Sequence, residues 1–279
     1  KVMRKEDLNF TSEAFKNHQK HPTGYETINE YMERDFVVPK DFEDYAYVSQ
    51  LLQARGMKTA NESHRRAKPY CMGTLYWQFN DCWPVTSWSS LDYYGNWKAF
   101  HYQAKRSFEN LLFSVEEEND SYRIYIVNDD LKQYSGELVI DLIDFNGTKL
   151  WNKKIIFIAS ENSSKIHFEI PKKDFLAYNL KQAVLSVSFP PLEQIYTRHY
   201  FFKPKDLQIT KPNIQIKIIN EVTIEISSDV LAKDVFLSSE NEVFFEDNYF
   251  DLLPNEKRII KFSKPVQNIK VKSLFDTLK

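Results

Sequence analysis

The hydrophobic positions along this chain change their spacing near residue 111. Before that point they recur every three or four residues, which is the period of an amphipathic helix, and after it they alternate with polar positions, as in a β-strand. Helices are predicted at Glu26–Phe36, Asp41–Lys68 and Lys98–Asn110. The central helix has the clearest signals, because Asp41 is a candidate N-cap and Pro69 follows its last residue.

A short apolar run, Cys71–Phe79, lies between the second and third predicted helices. Its length and aromatic content predict a strand that is buried on both faces. Gln78, Asn80 and Asp81 lie at the end of this run, and Pro84 cannot continue a ladder of hydrogen bonds. Helix, buried strand and helix in this order are typical of a parallel (β/α)8 TIM barrel, where functional side chains collect at the carboxyl ends of the strands.

The strand-rich part of the chain predicts two antiparallel β-sandwiches. Strands are predicted at Tyr122–Val127, Glu137–Leu142, Ile155–Ile158, Lys165–Ile170 and Ala183–Ser188 in the first, and at Ile214–Ile219, Val222–Ile226, Val235–Ser238, Arg258–Phe262 and Ile269–Leu274 in the second. We expect a multidomain α/β plus all-β protein with domains at residues 1–110, 111–205 and 206–279. A complete barrel needs about 250 residues, so the first domain holds only part of one.

Composition narrows the classes of function. The net charge of −2 offers no basic excess for nucleic acid, and no uncharged apolar run is long enough to span a membrane. The chain has 42% hydrophobic residues, which indicates a folded protein. Its first residue is Lys1 and no signal peptide precedes the first helix, so we expect a fragment of a longer protein.

The cysteines and histidines suggest neither a disulfide nor a metal site. Cys71 and Cys82 lie at opposite ends of the predicted strand, too far apart to be bridged, so both are predicted to be free thiols. His18 and His21 belong to a turn marked by Pro22 and Gly24, which favours an ordered loop over a metal site. No metal and no cofactor are expected. Sequences of the Asn-x-Ser/Thr type, which are weak evidence of glycosylation, occur at Asn9, Asn61, Asn119, Asn146 and Asn162.

Two motifs resemble a known enzyme family. The first is Gly73–Pro84 (GTLYWQFNDCWP), followed by Ser87–Ser90 (SWSS) and Gly95–Lys98 (GNWK). It resembles the end of the catalytic barrel of the retaining β-mannosidases of glycoside hydrolase family 2. The second, Phe244–Pro254, resembles the final immunoglobulin-like domain of the same enzymes. The resemblance implies the C-terminal remnant of a (β/α)8 barrel followed by two immunoglobulin-like β-sandwiches.

The resemblance also implies an exo-acting enzyme that hydrolyses terminal β-D-mannose residues of a mannose-containing oligosaccharide. In this family the two catalytic glutamates follow barrel strands four and seven. Both would lie upstream of Lys1, so no catalytic residue is expected in this chain and the fragment alone is expected to be inactive. Trp77 would stack beneath the sugar ring, with a cis peptide to Gln78. Asn80, Asp81 and Trp83 would bind sugar hydroxyl groups or orient neighbouring side chains.

Other interpretations stay open at this point. Trp88 and Trp97 are predicted to be packing residues, and Trp151 and Tyr249 are more simply core or interface residues than a carbohydrate-binding surface. The alternative functions are a carbohydrate-binding or adhesion module, or another family 2 activity such as β-galactosidase or β-glucuronidase. The expected partner is the upstream catalytic barrel of the same protein. Without it an apolar face is exposed, and either self-association or disorder in Lys1–Pro39 is expected. The family suggests a periplasmic, secreted or lysosomal location.

Overall fold

The computed structural model describes residues 3–278, and these form two compact units. Unit one runs up to Met57, from Leu75 to Ala104, and from Thr210 onward. Unit two comprises Lys58–Thr74 and Lys105–Ile209. Of the helices in the described residues, none is long and apolar enough to cross a bilayer.

The helices lie in the first part of the chain, as predicted. They are α1 (Glu13–Asn17), α2 (Gly24–Asp35), α3 (Phe42–Arg66) and α4 (Ala99–Ser107). The predicted cap of α3 is confirmed, because Asp41 Oδ1 accepts hydrogen bonds from the backbone N–H groups of Glu43 and Asp44, at 2.9 and 3.0 Å. Tyr45, Val48 and Leu51, which recur at helical spacing along α3, are buried.

The sandwich of unit two has two antiparallel sheets. Its strands are β1 (Leu111–Glu117), β2 (Ser121–Asn128), β3 (Tyr134–Asp144), β4 (Lys149–Ala159), β5 (Ser163–Pro171), β6 (Ala183–Ser188) and β7 (Tyr196–His199). One sheet has the order β1-β2-β5 and the other β4-β3-β6-β7. Their facing side chains, including Phe113, Ile124, Leu138 and Leu185, form one buried core. All five strands predicted here are confirmed.

The smaller sandwich belongs to unit one. Its strands are β8 (Ile214–Asn220), β9 (Thr223–Ser228), β10 (Ala232–Ser238), β11 (Phe250–Leu252), β12 (Lys257–Lys261) and β13 (Lys270–Lys272). The sheets have the orders β12-β9-β8 and β11-β10-β13, and Ile224, Ile226, Val235 and Leu237 lie in the core that they enclose. The five strands predicted for this region are confirmed within a few residues.

The predicted buried strand at Cys71–Phe79 is wrong. This segment is extended, but within the described residues it joins no sheet, and Leu75 and Trp77 are largely exposed. Apolar composition predicts burial only when a partner strand covers the segment, and no described strand pairs with this one. Cys71 and Cys82, which flank it, are free thiols as predicted.

One close contact in unit two gives a test of the packing. A Cβ atom added at Gly136 in β3 would lie 2.6 Å from Cε2 of Phe189, a ring that is buried in the core. We expect Gly136→Ala to lower the free energy of unfolding by about 1–3 kcal/mol, because the ring has to move in a closely packed interior.

The matched control is Gly56→Ala in α3, where an added Cβ has no neighbour within 4 Å. That substitution should raise the free energy of unfolding by about 0.8–1 kcal/mol through helix propensity alone. Urea titrations of both variants compare the two effects. If both substitutions changed the free energy of unfolding in the same direction and by the same amount, the packing argument would be contradicted.

Candidate functional site

Trp77 projects from an extended segment whose neighbouring side chains point inward. The Tyr76 hydroxyl lies 3.2 Å from Ser90 Oγ, and its ring packs at 4.7 Å from that of Phe100. Because side chains alternate along an extended chain, the Trp77 side chain lies on the opposite side, and the residue is 78% exposed. The Trp77–Gln78 peptide bond is cis, as the resemblance implied.

Gln78 is fixed through both its side chain and its backbone. Its Nε2 donates to the Asn80 carbonyl at 2.7 Å, and its Oε1 accepts from Trp88 Nε1 at 3.3 Å. Its backbone carbonyl accepts from Ser90 N at 3.1 Å. The polypeptide on both sides of Trp77 is therefore held in place, which limits the conformations open to the exposed indole.

Asp81 lies beneath this segment and is only 2% exposed. Its Oδ1 accepts from Ser87 Oγ at 2.5 Å, and its Oδ2 accepts from Ser89 Oγ at 2.6 Å and from Lys98 Nζ at 3.3 Å. Burial lowers the pKa of Lys98, and the charge of Asp81 opposes that shift. Both carboxylate oxygens thus contact protein donors. Of the two roles predicted for Asp81, the geometry favours orienting its neighbours.

Trp83 lies on a loop that a histidine supports. His18 Nδ1 lies 2.5 Å from the Pro84 carbonyl oxygen, and the imidazole centroid is 5.6 Å from the Trp83 ring. Since a carbonyl only accepts, Nδ1 carries the proton. Thr86 N donates to the His18 carbonyl at 2.7 Å, so this loop and the His18 turn also bond through their backbones. The sequence identified the turn as an ordered loop but not His18 as a support of Trp83.

The predicted site residues therefore differ in accessibility. Trp77 and Asn80 are exposed, Trp83 is half-buried, and Asp81 is buried. Trp77, Asn80 and Trp83 are therefore accessible to a sugar, whereas Asp81 is not. Within the described residues, no group of three or more His, Cys, Asp or Glu side chains is placed to hold a metal ion.

The other predicted aromatic residues divide between core and surface. Trp97 packs against the rings of His101, Tyr102 and Phe244, with centroids 4.3 to 5.1 Å apart, which confirms it as a packing residue. Trp88 is exposed, so its packing interpretation is wrong: its N–H bonds to Gln78 but its ring reaches the surface.

The aromatic residues singled out in the sandwiches do not form an exposed carbohydrate-binding surface. Trp151 packs against the core of unit two, with its ring 5.5 Å from that of Phe175. Tyr249 is buried. The core interpretation of both residues is confirmed, and they give no support to a binding module.

Both sandwiches match known families of protein domains. Residues 120–206 match the family described as a mannosidase Ig/CBM-like domain, and residues 209–277 match an Ig-fold domain called Ig_mannosidase. Both sandwiches are thus immunoglobulin-like β-domains. Together with the Trp77 segment, these matches support the resemblance to the carboxyl-terminal part of a family 2 β-mannosidase.

Individual relatives of the chain are β-mannosidases. The mouse β-mannosidase is 27% identical over 99% of this chain, which spans 34% of the mouse protein. The goat β-mannosidase is 38% identical over 46% of this chain and 16% of its own length. The chain is therefore similar to β-mannosidases along almost its whole length.

Solved structures agree with this family. The β-D-mannosidase of Dictyoglomus thermophilum superposes with a TM-score of 0.87 at 28% identity, covering 97% of this chain and 34% of that one. An exo-chitosanase of Amycolatopsis orientalis superposes with a TM-score of 0.71 at 14% identity, covering 97% of this chain and 40% of that one. At this low identity the match shows only that the two chains share a fold. The chain spans about a third of the length of the β-mannosidases that it matches.

Proposed function

We propose that the complete protein is a retaining exo-β-mannosidase that removes terminal β-D-mannose residues from oligosaccharides. A retaining glycosidase needs two carboxyl groups about 5–5.5 Å apart, one protonating the leaving oxygen and the other attacking the anomeric carbon. In this proposal both glutamates lie upstream of the chain, and the chain supplies part of the wall that binds the sugar. Its similarity to β-mannosidases along almost its whole length supports the proposal.

We further propose that residues 1–110 are the end of a (β/α)8 barrel, followed by domains at 111–205 and 206–279. The segment Cys71–Phe79 would then be barrel strand eight, between helices α3 and α4. Its apolar composition together with its exposure supports this assignment, since a barrel strand is covered by its two neighbours. The upstream barrel would be the principal partner of the chain.

Trp77 is the observation that carries the proposed role of the site. An exposed indole on a segment held from both sides offers a flat apolar face, on which the C–H groups of a pyranose ring make dispersion contacts. At the edge of the same sugar, Asn80 would donate or accept hydrogen bonds and Trp83 would donate one through its indole N–H. Asp81 would act as a positioning residue beneath them.

Hydrolysis of an aryl β-mannoside tests this function. We expect activity from a protein extended upstream to a full barrel and none from the present chain, because the chain lacks the catalytic pair. An aryl β-galactoside and an aryl β-glucuronide serve as controls for other activities of the family. Activity of the short chain would contradict the assignment of the glutamates, and inactivity of the extended protein on every substrate would refute the function.

The exposed apolar face predicts how the isolated chain behaves. Leu75, Trp77 and Phe79 are all exposed, and an uncovered extended segment also presents unpaired backbone groups. We expect the chain to self-associate, with an apparent mass that rises with concentration in light scattering. Leu75→Lys should shift the equilibrium toward monomer. A monomer of wild-type sequence at every concentration would contradict this expectation.

A further inference from the structure

Unit one also contains a large cleft whose lining does not include Trp77. It is a cleft of about 1280 Å³, whereas pockets for single small ligands typically have volumes of about 300–1,000 Å³. We call it the aromatic cleft, and the residues that the argument uses are Tyr31, Gln53, Trp88, Asn96, Trp97 and Phe244. Its size suits an extended ligand better than one sugar.

The aromatic rings of this cleft contact neighbouring groups that restrict their orientations. Trp88 donates its N–H to Gln78 Oε1 and accepts through its backbone carbonyl from Gln53 Nε2, at 3.3 and 2.6 Å. The Phe244 ring packs edge-on against Trp97 at 4.8 Å. Tyr31 lies 5.0 Å from the guanidinium of Arg34. Rings that are already ordered lose little conformational entropy when a ligand binds, which favours affinity.

The charged residues that line the aromatic cleft balance in sign. They are Lys20, Arg34 and Lys98, which are positive, and Asp92, Glu240 and Glu242, which are negative. Three charges of each sign leave the lining with no net charge, so it favours neither an anion nor a cation overall. A lining that combines partly exposed aromatic rings with amide groups, such as those of Gln53 and Asn96, suits an uncharged ligand rich in hydroxyl groups.

The aromatic cleft also adjoins the candidate sugar site. Trp88 lines the cleft while its N–H is bonded to Gln78, the residue that follows Trp77. Ser87, its neighbour in sequence, lines the cleft and donates to Asp81. We infer that the aromatic cleft is a second carbohydrate-binding site, which holds an uncharged oligosaccharide segment of several units. The inference rests on the proposed function only for the choice of mannose as the sugar.

Calorimetric titration of the chain with β-1,4-linked mannotetraose and with mannose tests the inference. We expect the tetrasaccharide to bind more tightly than mannose. Tyr31→Ala and Phe244→Ala should each weaken tetrasaccharide binding by roughly tenfold or more, as loss of an aromatic anchor does at other interfaces. The matched control is Tyr94→Ala, since Tyr94 is 54% exposed against 47% for Tyr31 but does not line the cleft.

The Trp77→Ala variant distinguishes two sources of the bound segment. If one glycan occupies both sites, Trp77→Ala also weakens tetrasaccharide binding; if the cleft holds a separate glycan, its affinity is unchanged in that variant. Both results support the site. Wild-type affinity in Tyr31→Ala and Phe244→Ala, or the absence of binding by the wild-type chain, would overturn it. The titration measures binding and not hydrolysis. A failure of the proposed hydrolytic function can therefore be distinguished from a failure of this inference.

Discussion

Trp77→Ala in the catalytically complete protein should lower kcat/KM for an aryl β-mannoside by roughly 30- to 1,000-fold. The indole is exposed on a segment held by Gln78, so substitution removes the stacking surface without opening a cavity in the core. Loss of a tryptophan anchor costs about 2–4 kcal/mol in tight binding sites. Each 1.4 kcal/mol corresponds to about tenfold in rate or affinity. Steady-state kinetics measures the change directly.

Two further variants separate stacking from a general disturbance of the site. Trp77→Phe retains a smaller aromatic face and should recover part of kcat/KM, while Tyr94→Ala, on an exposed ring elsewhere in unit one, should leave it unchanged. Urea unfolding of Trp77→Ala should match that of the unsubstituted protein. An unchanged kcat/KM in Trp77→Ala would show that Trp77 does not bind the substrate, whatever the reaction proves to be.

The sequence predicted most strands of the two sandwiches. In β2 and β9, for example, buried residues alternate with more exposed ones, because one face of the strand lies against the core and the other does not. It missed β1 and β7 for different reasons. β1 (Leu111–Glu117) begins with four buried residues, so it lacks the alternation. β7 has only four residues, too short for any period to be recognised. The composition of Asn248–Pro254, by contrast, predicts a strand leading into a turn, and β11 (Phe250–Leu252) lies within that segment.

The candidate site was predictable only in part. The motif around Trp77 was recognisable, but composition could not separate exposed Asn80 from buried Asp81, since both are short polar residues after the same apolar run. Their difference arises from Ser87, Ser89 and Lys98, which follow 6 to 17 positions later and surround Asp81 in the folded chain. The support from His18 to the Trp83 loop joins residues 66 positions apart along the chain. No local pattern encodes contacts of this kind.

Asp81→Ala should lower the free energy of unfolding of unit one by about 3–5 kcal/mol at neutral pH, because it leaves the Lys98 ammonium buried without its counter-charge. Asp81→Asn, which keeps the shape and part of the hydrogen bonding, should cost less. Urea unfolding followed by tryptophan fluorescence measures this well, since four of the five tryptophans lie between Trp77 and Trp97. Glu137→Ala removes the carboxylate of an exposed ion pair and should have little effect.

The dependence of this loss on pH identifies Lys98 as its cause. Burial already lowers the pKa of Lys98 from its ordinary value of 10.5, and removing Asp81 lowers that pKa further. Between the folded and the ordinary pKa, the unfolded chain binds more protons, so the stability of Asp81→Ala rises with pH and its deficit narrows toward pH 10.5. Lys98→Met should likewise recover much of the loss when combined with Asp81→Ala, since no charge is then left buried. A deficit that is the same at neutral and alkaline pH, and additive in the double variant, would show that the serine hydrogen bonds and not the ion pair hold this loop.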